Sequence, residues 1–358
     1  MHGDGWTGAP CKIVVVRENL SDNPHRKRVN MKRLITRRTA LAAAPLVLAP
    51  VRSWAAPANW PTLLVIGTAA PGGTYIIYGK ALAKILTDTL GVTVTAQSTQ
   101  GPDQNIVLLE TGTIQLGMVT MGPALQGWNG TGEWTRGKQY RVMRAIFPMY
   151  DTPFHNVVLK GSGIGSMKDM AGKHLGVGPK GGSAGTYYPL ILKALNVEVA
   201  VRNGAWSEVG KQLQEKQLDM LAIALGVPFP FLLGLEKQLE IESIAFTPDE
   251  IATLHTAIPE LSPSVVPAGT YTSLKSDYPT IGMYNFAVAH KDLPDDLVYA
   301  IVKAVFDKHD LLVAAHSSAK ETRAANVTKN DFLPFHPGAV RYYQEIGIAI
   351  PENLSKVM

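Results

Sequence analysis

The chain has 358 residues, with 34 Lys and Arg against 29 Asp and Glu, and 46% of its residues are hydrophobic. That length and apolar content suffice for two domains that each have a core, and they exclude a disordered chain. The single cysteine excludes a disulfide framework.

The N-terminal part has the pattern of an export signal. Met31-Lys32-Arg33 is followed by the paired arginines of Thr36-Arg37-Arg38-Thr39 and by an uncharged run from Ala40 to Val51. That run is too short to span a membrane, which takes about twenty apolar residues. The pattern predicts a twin-arginine-like signal peptide over residues 31–56 and a periplasmic location for the mature chain.

Removal of this segment changes the net charge of the chain. We expect residues 1–30, which contain the only cysteine, Cys11, to be a start-site extension. Residues 1–55 hold ten basic and three acidic residues, which leaves 24 basic and 26 acidic residues and changes the net charge from +5 to −2. The basic excess therefore goes with the leader. We expect no nucleic-acid partner and no membrane-spanning segment in the mature chain.

The first unit after the export signal alternates strands and helices. An apolar strand runs into the first glycine-rich turn, and a helix follows in which Ile77, Ala81 and Ile85 recur near helical spacing until Gly91 stops it. A strand, a short helix from Pro102 and a third strand ending at Thr120 come next. This order predicts a parallel sheet, in which ligand-binding turns lie at the carboxyl ends of the strands. The turns that fall there are residues 71–75, 98–102 and 120–123.

The second unit repeats this scheme. Its predicted strands lie near residues 174–178, 199–202 and 218–224, and its predicted helices near residues 186–195 and 207–217. The prolines that follow predict an irregular stretch; they are Pro259, Pro263 and Pro267. A strand at residues 282–289 and a helix that opens at Pro294 come next, and we expect a helical tail.

Two extended segments, residues 156–160 and 282–289, connect the two units. Two crossings make a hinge, which lets two lobes close over a small molecule, as periplasmic binding proteins do. The predicted fold class is α/β, with two lobes joined by a two-strand hinge around a central ligand cleft. We expect lobe 1 to hold residues 57–155 and 275–358, and lobe 2 to hold residues 156–274.

Each unit has a glycine-rich turn between a strand and a helix. The two turns are Pro71-Gly72-Gly73-Thr74-Tyr75 and Gly181-Gly182-Ser183-Ala184-Gly185-Thr186. Glycine allows close backbone approach, and the first turn of a helix leaves N–H groups unpaired, which favours an anion. Two such turns predict one anionic ligand held between two lobes. Ordinary strand-to-helix turn chemistry is the alternative.

The predicted ligand contacts come from these turns and from nearby strand ends. In lobe 1 they are Gly72, Gly73, Thr74, Tyr75, Ser98, Thr99, Asn105, Thr120 and Met121. In lobe 2 they are Lys180, Ser183, Ala184, Gly185, Thr186, Gly226 and Pro228. The alternative for Thr99 and Asn105 is that they organise a turn, and for Lys180 that it is solvated. No two histidines have metal-ligand spacing, so we expect no metal ion and no cofactor.

Four segments in order along the chain carry a family resemblance: Gly67–Tyr75, Gln97–Asn105, Gly172–Pro179 and Pro334–Tyr343. They resemble the TAXI branch of the solute-binding receptors of tripartite ATP-independent periplasmic (TRAP) transporters. The resemblance implies a type II periplasmic-binding-protein fold. It also implies a receptor that delivers a small organic acid, often a dicarboxylate or an amino acid, to TRAP membrane subunits without altering it. Departures at Gln100, Pro102 and Gln115 mean that no particular substrate is implied.

The alternative function is an exported serine hydrolase. Gly181-Gly182-Ser183-Ala184-Gly185 matches the G-x-S-x-G nucleophile elbow, and His316 or His336 follows it in suitable order. The similar turn at Gly72-Gly73-Thr74 has no explanation in a hydrolase, so we favour a binding protein that is not an enzyme. His336 fits a helix-start turn better than a functional site.

Overall fold

A ten-stranded sheet runs through the protein, of which the computed structural model describes residues 57–355. The predicted signal peptide at residues 31–56, the predicted extension at residues 1–30 and Cys11 lie outside the described residues. The described residues belong to one compact unit.

The first strands and helices of the described chain are β1 (Leu63–Gly67), α1 (Thr74–Leu90), β2 (Thr93–Gln97), α2 (Pro102–Glu110), β3 (Leu116–Thr120), α3 (Met121–Asn129) and β4 (Met143–Leu159). The next are β5 (His174–Gly176), α4 (Ser183–Ala194), β6 (Ala200–Arg202), α5 (Trp206–Gln214), β7 (Met220–Ala224) and α6 (Pro230–Leu235). Then come β8 (Ile241–Ile244), α7 (Pro248–Ala257), β9 (Ser262–Val266), β10 (Tyr278–His290), α8 (Asp295–Asp307), α9 (His309–Ala315), α10 (Pro337–Glu345) and α11 (Glu352–Ser355).

The two halves of the sheet form two lobes. In lobe 1, β1, β2 and β3 are parallel, and β10 runs antiparallel beside β3. In lobe 2, β5, β6 and β7 are parallel, and β4 runs antiparallel beside β7. The strand order is β2-β1-β3-β10-β4-β7-β5-β6, with β8 beside β4 and β9 beside β10.

The strands β4 and β10 belong to both lobes. Strand β4 pairs with β10 up to Pro153 and with β7 from Phe154 onward. Along β10, Ile281 packs in a lobe 2 core, whereas Phe286 packs in the lobe 1 core. These strands form the two-strand hinge, so the predicted α/β fold class with two lobes and a central cleft is confirmed.

The sequence of β7 explains why lobe 2 has a core on each face of its sheet. Successive side chains of a strand point to opposite faces. Met220 and Ala222 accordingly pack in one core, while Leu221 and Ile223 pack in the other. A parallel strand that is covered on both faces needs an unbroken apolar run, which β7 provides.

Two predictions about local structure were wrong. The proline-rich stretch that was predicted to be irregular contains the strand β9. This strand pairs with β10 only and is therefore an edge strand, where a proline such as Pro263 is tolerated. The turn predicted at residues 120–123 is absent from the described chain, because α3 begins at Met121. Pro123 lies in the first turn of that helix, where its missing N–H would have no partner anyway.

Strand β4 is longer than the extended segment predicted at residues 156–160. Pro148, Asp151 and Pro153 interrupt the apolar pattern of this strand, and its pairing with β10 contains register shifts.

Within residues 57–355, no helix combines the length and the apolar character needed to cross a membrane.

Candidate functional site

A cavity lies between the lobes, at the ends of the strands from which both glycine-rich turns emerge. The turns before α1 and α2 contribute Gly73 and Gly101 to its lining, and the turn before α4 contributes Gly182. Further lining residues are Tyr75, Tyr150, Trp206 and Gly226. The cavity volume is about 30 Å³, which is space for one or two water-sized groups. A larger ligand therefore requires the lobes to move apart.

The starts of α1 and α4 supply hydrogen-bond donors to this cavity. Both helices follow a glycine in extended conformation, Gly73 or Gly182. Of these two described helices, neither has a side chain that caps its N-terminus. Their first-turn N–H groups therefore remain available to a bound group, and the helix dipoles favour a negative charge there.

Direct hydrogen bonds, here called the interlobe bonds, join the two lobes beside the cavity. They run from Thr74 Oγ1 to the Gly226 carbonyl (2.8 Å), from Thr186 Oγ1 to Asp103 Oδ2 (2.7 Å), and between Thr120 Oγ1 and Ser183 Oγ (2.6 Å). They pair polar groups that closure of the lobes would otherwise bury without partners.

The backbones of the two lobes also meet directly. A Cβ atom at Gly101 would lie 2.5 Å from the carbonyl oxygen of Gly181. Gly101 has a φ of +132° and a ψ of −159°, a conformation that is essentially restricted to glycine. The close approach of α2 and α4 thus depends on glycine at this position.

Asp103 is a buried acid at this contact. Burial raises the pKa of its carboxyl group to about 7. The hydrogen bond from Thr186 acts in the opposite direction and lowers this pKa, but the effect of burial is larger. Its second oxygen, Oδ1, has no partner among the described residues. The carboxyl group therefore changes its charge near neutral pH, while it lies between the lobes.

A hydrogen-bond network fixes the hinge side of the cavity. The Tyr75 hydroxyl donates to Asn285 Oδ1 at 2.5 Å, and Asn285 Nδ2 donates to the Tyr150 carbonyl at 2.6 Å and to Thr152 Oγ1 at 2.7 Å. Burial raises the pKa of the Tyr75 phenol, so the group stays protonated and acts as the donor. The network links α1 to both hinge strands.

The Tyr150 hydroxyl stands apart from this network. The centroid of the Tyr150 ring lies 5.7 Å from that of Tyr78. A Cβ atom at Gly226 would lie 2.5 Å from the edge of the Tyr150 ring. The side chain is fully buried, and its hydroxyl has no hydrogen-bond partner in the part of the chain that the structure describes. A buried polar group without a partner is costly, which marks this hydroxyl as a candidate ligand contact.

The structure separates the predicted site residues into groups. Those that line the cavity are Gly73, Tyr75, Ser183, Ala184 and Gly226. Those that form interlobe bonds are Thr74, Thr120, Ser183, Thr186 and Gly226. The remaining predicted residues do not line the cavity; they are Gly72, Ser98, Thr99, Asn105, Met121, Lys180, Gly185 and Pro228.

Several of the remaining residues have evident structural roles. Thr99 Oγ1 and Asn105 Nδ2 both donate to the Thr68 carbonyl, at 2.9 Å and 2.8 Å, so they organise the turn after β2. Ser98 donates to the Ala69 carbonyl at 3.0 Å. Lys180 is exposed. As ligand contacts these residues remain predictions.

Several residues that line the cavity were not predicted from the sequence. Tyr150 and Thr152 lie in the part of β4 that was not predicted, and Trp206 begins α5. Gln100, Gly101 and Pro102 belong to a predicted turn but were not proposed as contacts. Apart from the glycine, no short motif distinguishes these residues, because tertiary pairing places them at the cavity.

The groups proposed for a hydrolase lie apart. Ser183 Oγ bonds with Thr120, whereas the His316 ring bonds with Ser318 Oγ at 2.8 Å and with the Pro228 carbonyl at 3.1 Å. The backbone N–H of Gly338 donates to His336 Nδ1 at the start of α10, as the interpretation of a helix-start turn predicted. Neither histidine lines the cavity.

A second, more open cavity of about 690 Å³ lies beside α3. Met121 lines it, together with charged residues of both signs; among these are Asp151, Glu321, Arg323 and Lys329. Burial raises the pKa of Asp151 to about 6. The predicted contact Met121 thus faces a different space from the glycine-rich turns.

Comparisons place this geometry among known proteins. The sequence profile of a family described as the NMT1-like family matches residues 66–347. The structure of MatC from Rhodopseudomonas palustris with bound malate is similar with a TM-score of 0.51 and 10% identity, over 74% of this chain and 94% of that chain. At such identity the similarity concerns the fold, that of two-lobed periplasmic binding proteins.

More distant similarities were also found. The alkanesulfonate-binding protein SsuA from Xanthomonas axonopodis pv. citri bound to MOPS has a TM-score of 0.45 and 16% identity, over 81% of each chain. An ancestral arginine-binding protein bound to arginine has a TM-score of 0.45 and 15% identity, over 73% of this chain and 96% of that chain.

Proposed function

This chain belongs to the NMT1-like family, and on that premise we propose that it is an extracytoplasmic solute-binding protein that captures a small organic acid between its two lobes. The observation that carries the proposal is the meeting of two glycine-rich turns from opposite lobes at one cavity. Their helices, α1 and α4, have no side-chain cap within the described chain, so they offer N–H donors to an anion.

The fold supports a carboxylate as the ligand. MatC with bound malate has the same two-lobed fold, and malate is a dicarboxylate. In this chain the donors come from both lobes, so a bound carboxylate would join them and favour closure. Binding then consists of capture and release, with no chemical step.

Delivery to TRAP membrane subunits is the transport step that we propose. It rests on the sequence resemblance to TAXI receptors, and export by the twin-arginine route rests on the Arg37-Arg38 pair.

We also propose that residues 57–155 and 275–358 form lobe 1 and that residues 156–274 form lobe 2. The change of pairing partner between Pro153 and Phe154 supports the first boundary between these lobes.

The test is a screen of the purified protein against small organic acids by thermal unfolding. A ligand at a hundred times its dissociation constant should stabilise the folded state by about 2.7 kcal/mol. Sugars and organic cations of similar size serve as control ligands, and we expect no stabilisation by them. The proposal fails if no small anion raises the melting temperature.

A further inference from the structure

On the premise of the proposed function, we infer that the ligand is a small monocarboxylate with a short uncharged body, and that the Tyr150 hydroxyl binds its carboxylate together with the helix N–H groups. This inference narrows the ligand class, because organic acids also include dicarboxylates and amino acids.

The first step concerns charge. Among residues 57–355, the side chains that line the cavity include no Asp, Glu, Lys, Arg or His. Asp103, the buried acid between the lobes, is not part of this lining, and its carboxyl group already accepts a hydrogen bond from Thr186. An ammonium group would therefore enter the cavity without a carboxylate partner in the lining, and a second ligand carboxylate would enter without a cationic partner. Because burial of an unpaired charge is strongly unfavourable, the cavity disfavours both amino acids and dicarboxylates.

The second step concerns the charge that the cavity does accept. The N-terminus of a helix is equivalent to about half of a positive elementary charge. Two such termini, those of α1 and α4, face the cavity from opposite lobes. Together they match one negative charge.

The third step concerns the body of the ligand. Much of the remaining lining is apolar, from Ala69, Ala70, Pro102, Pro179, Ala224 and Leu225. The cavity volume is about 30 Å³, so each added carbon atom requires the lobes to separate further. These properties favour a short alkyl or keto chain, as in propionate, butyrate or pyruvate.

The fourth step concerns Tyr150. Its side chain is completely buried beside Gly226, and within the described chain its hydroxyl has no partner. Burial raises the pKa of this phenol well above its usual range, so the group remains a donor. A carboxylate oxygen would satisfy this donor.

The first experiment compares dissociation constants by calorimetry for acetate, propionate, butyrate, pyruvate, succinate, malate and glutamate. We expect one or more of the monocarboxylates to bind at least tenfold more tightly than any dicarboxylate or amino acid. If malate, succinate or glutamate binds best, the inference is overturned while the proposed function stands. If none of these acids binds, the inference is overturned, and the wider thermal-unfolding screen of small anions decides whether the proposed function fails as well.

The second experiment uses Tyr150→Phe, with Tyr78→Phe as the matched control. The Tyr78 hydroxyl bonds with Thr322 at 2.9 Å and does not line the cavity. We expect Tyr150→Phe to raise the dissociation constant of the tightest-binding monocarboxylate at least tenfold without lowering the melting temperature of the free protein, since it removes a hydroxyl that has no partner. Tyr78→Phe should lower the melting temperature and leave the dissociation constant unchanged. Equal dissociation constants for Tyr150→Phe and the wild type would overturn the role of this hydroxyl.

Discussion

Asp103 lies in the first turn of α2, where a helix N-terminus normally favours an ionised carboxylate. Burial between the lobes acts in the opposite direction and raises its pKa to about 7, from an ordinary value of 3.8. Between these values the folded protein holds a proton that the unfolded chain has released. The free energy of unfolding therefore falls as the pH rises from about 4 to about 7, and this effect is complete above that range.

Asp103→Asn removes this titration and keeps an acceptor for Thr186. We expect the variant to be as stable as the wild type near pH 4 and more stable at pH 8, by at most about 4 kcal/mol, because only the wild type then buries a charge. Urea unfolding at pH 4, 6 and 8 measures the difference. Asp310→Asn, the same change at an exposed residue of α9, controls for the loss of a negative charge in general. A difference that is constant with pH would contradict the assignment.

The site residues that were predicted from the sequence are those that lie in a recognisable short motif. Gly73 and Ser183 stand out because a glycine turn before a helix is visible in a few consecutive letters. Tyr150 carries no such signal. Its burial, its contact with Gly226 and its unpaired hydroxyl all result from tertiary packing, as does the bond between Thr120 and Ser183.

Among the elements, the starts of α2 and α4 come into direct backbone contact across the cleft. The contact between Gly101 and the Gly181 carbonyl allows this approach. A side chain at position 101 would hold the two helix starts apart and would also strain the backbone. The turn before α2 is therefore part of the closing surface of lobe 1, in addition to being a connection.

Gly101→Ala should lower the free energy of unfolding by about 1–3 kcal/mol and weaken ligand binding, because the new Cβ meets the backbone of the other lobe. The matched control is Gly112→Ala, which follows the other end of α2. Gly112 also has a positive φ, of +70°, but a Cβ there would meet no atom within 4 Å. The control should lose about 1 kcal/mol of stability and keep its ligand affinity. Denaturant unfolding and calorimetry test both variants, and equal losses of affinity would contradict the argument.

The regular β-α units could be predicted because each strand and helix has its own periodicity and its own capping residues. For α1, the glycine-rich turn that precedes the helix and the stop at Gly91 were both visible in the sequence. Strand β9 could not be predicted, since its prolines suit an edge strand only once β10 lies beside it. The length of β4 likewise depends on partners in two different lobes.

At the scale of the whole molecule, β4 and β10 connect the two lobes as a hinge, and the interlobe bonds hold the lobes together. The sequence predicted two lobes because the glycine turn occurs in both units. It did not predict that threonine and serine hydroxyls would join the lobes directly. That contact becomes visible only when the turns face each other.

Thr120→Val removes one interlobe bond at nearly constant volume. A hydrogen bond contributes a net of about 0.5–1.5 kcal/mol, so the ratio of open to closed molecules should rise by about twofold to tenfold. Small-angle X-ray scattering should detect a larger radius of gyration in the absence of added ligand. Thr322→Val is the control, because the hydrogen bonds of Thr322 with Tyr78 and Met149 stay within lobe 1. An unchanged radius for Thr120→Val would mean that this bond does not hold the lobes together.

Because the lining of the cavity is uncharged, the affinity for the ligand should depend little on the salt concentration. Surface ion pairs weaken as ionic strength rises, because mobile ions screen them over about 10 Å at 0.1 M. Enclosed amide groups and a phenol are shielded from those ions by the lobes themselves. If the chain is the extracytoplasmic receptor proposed above, its affinity should be similar in dilute and in saline surroundings, which would suit a compartment that takes its ionic composition from the external medium.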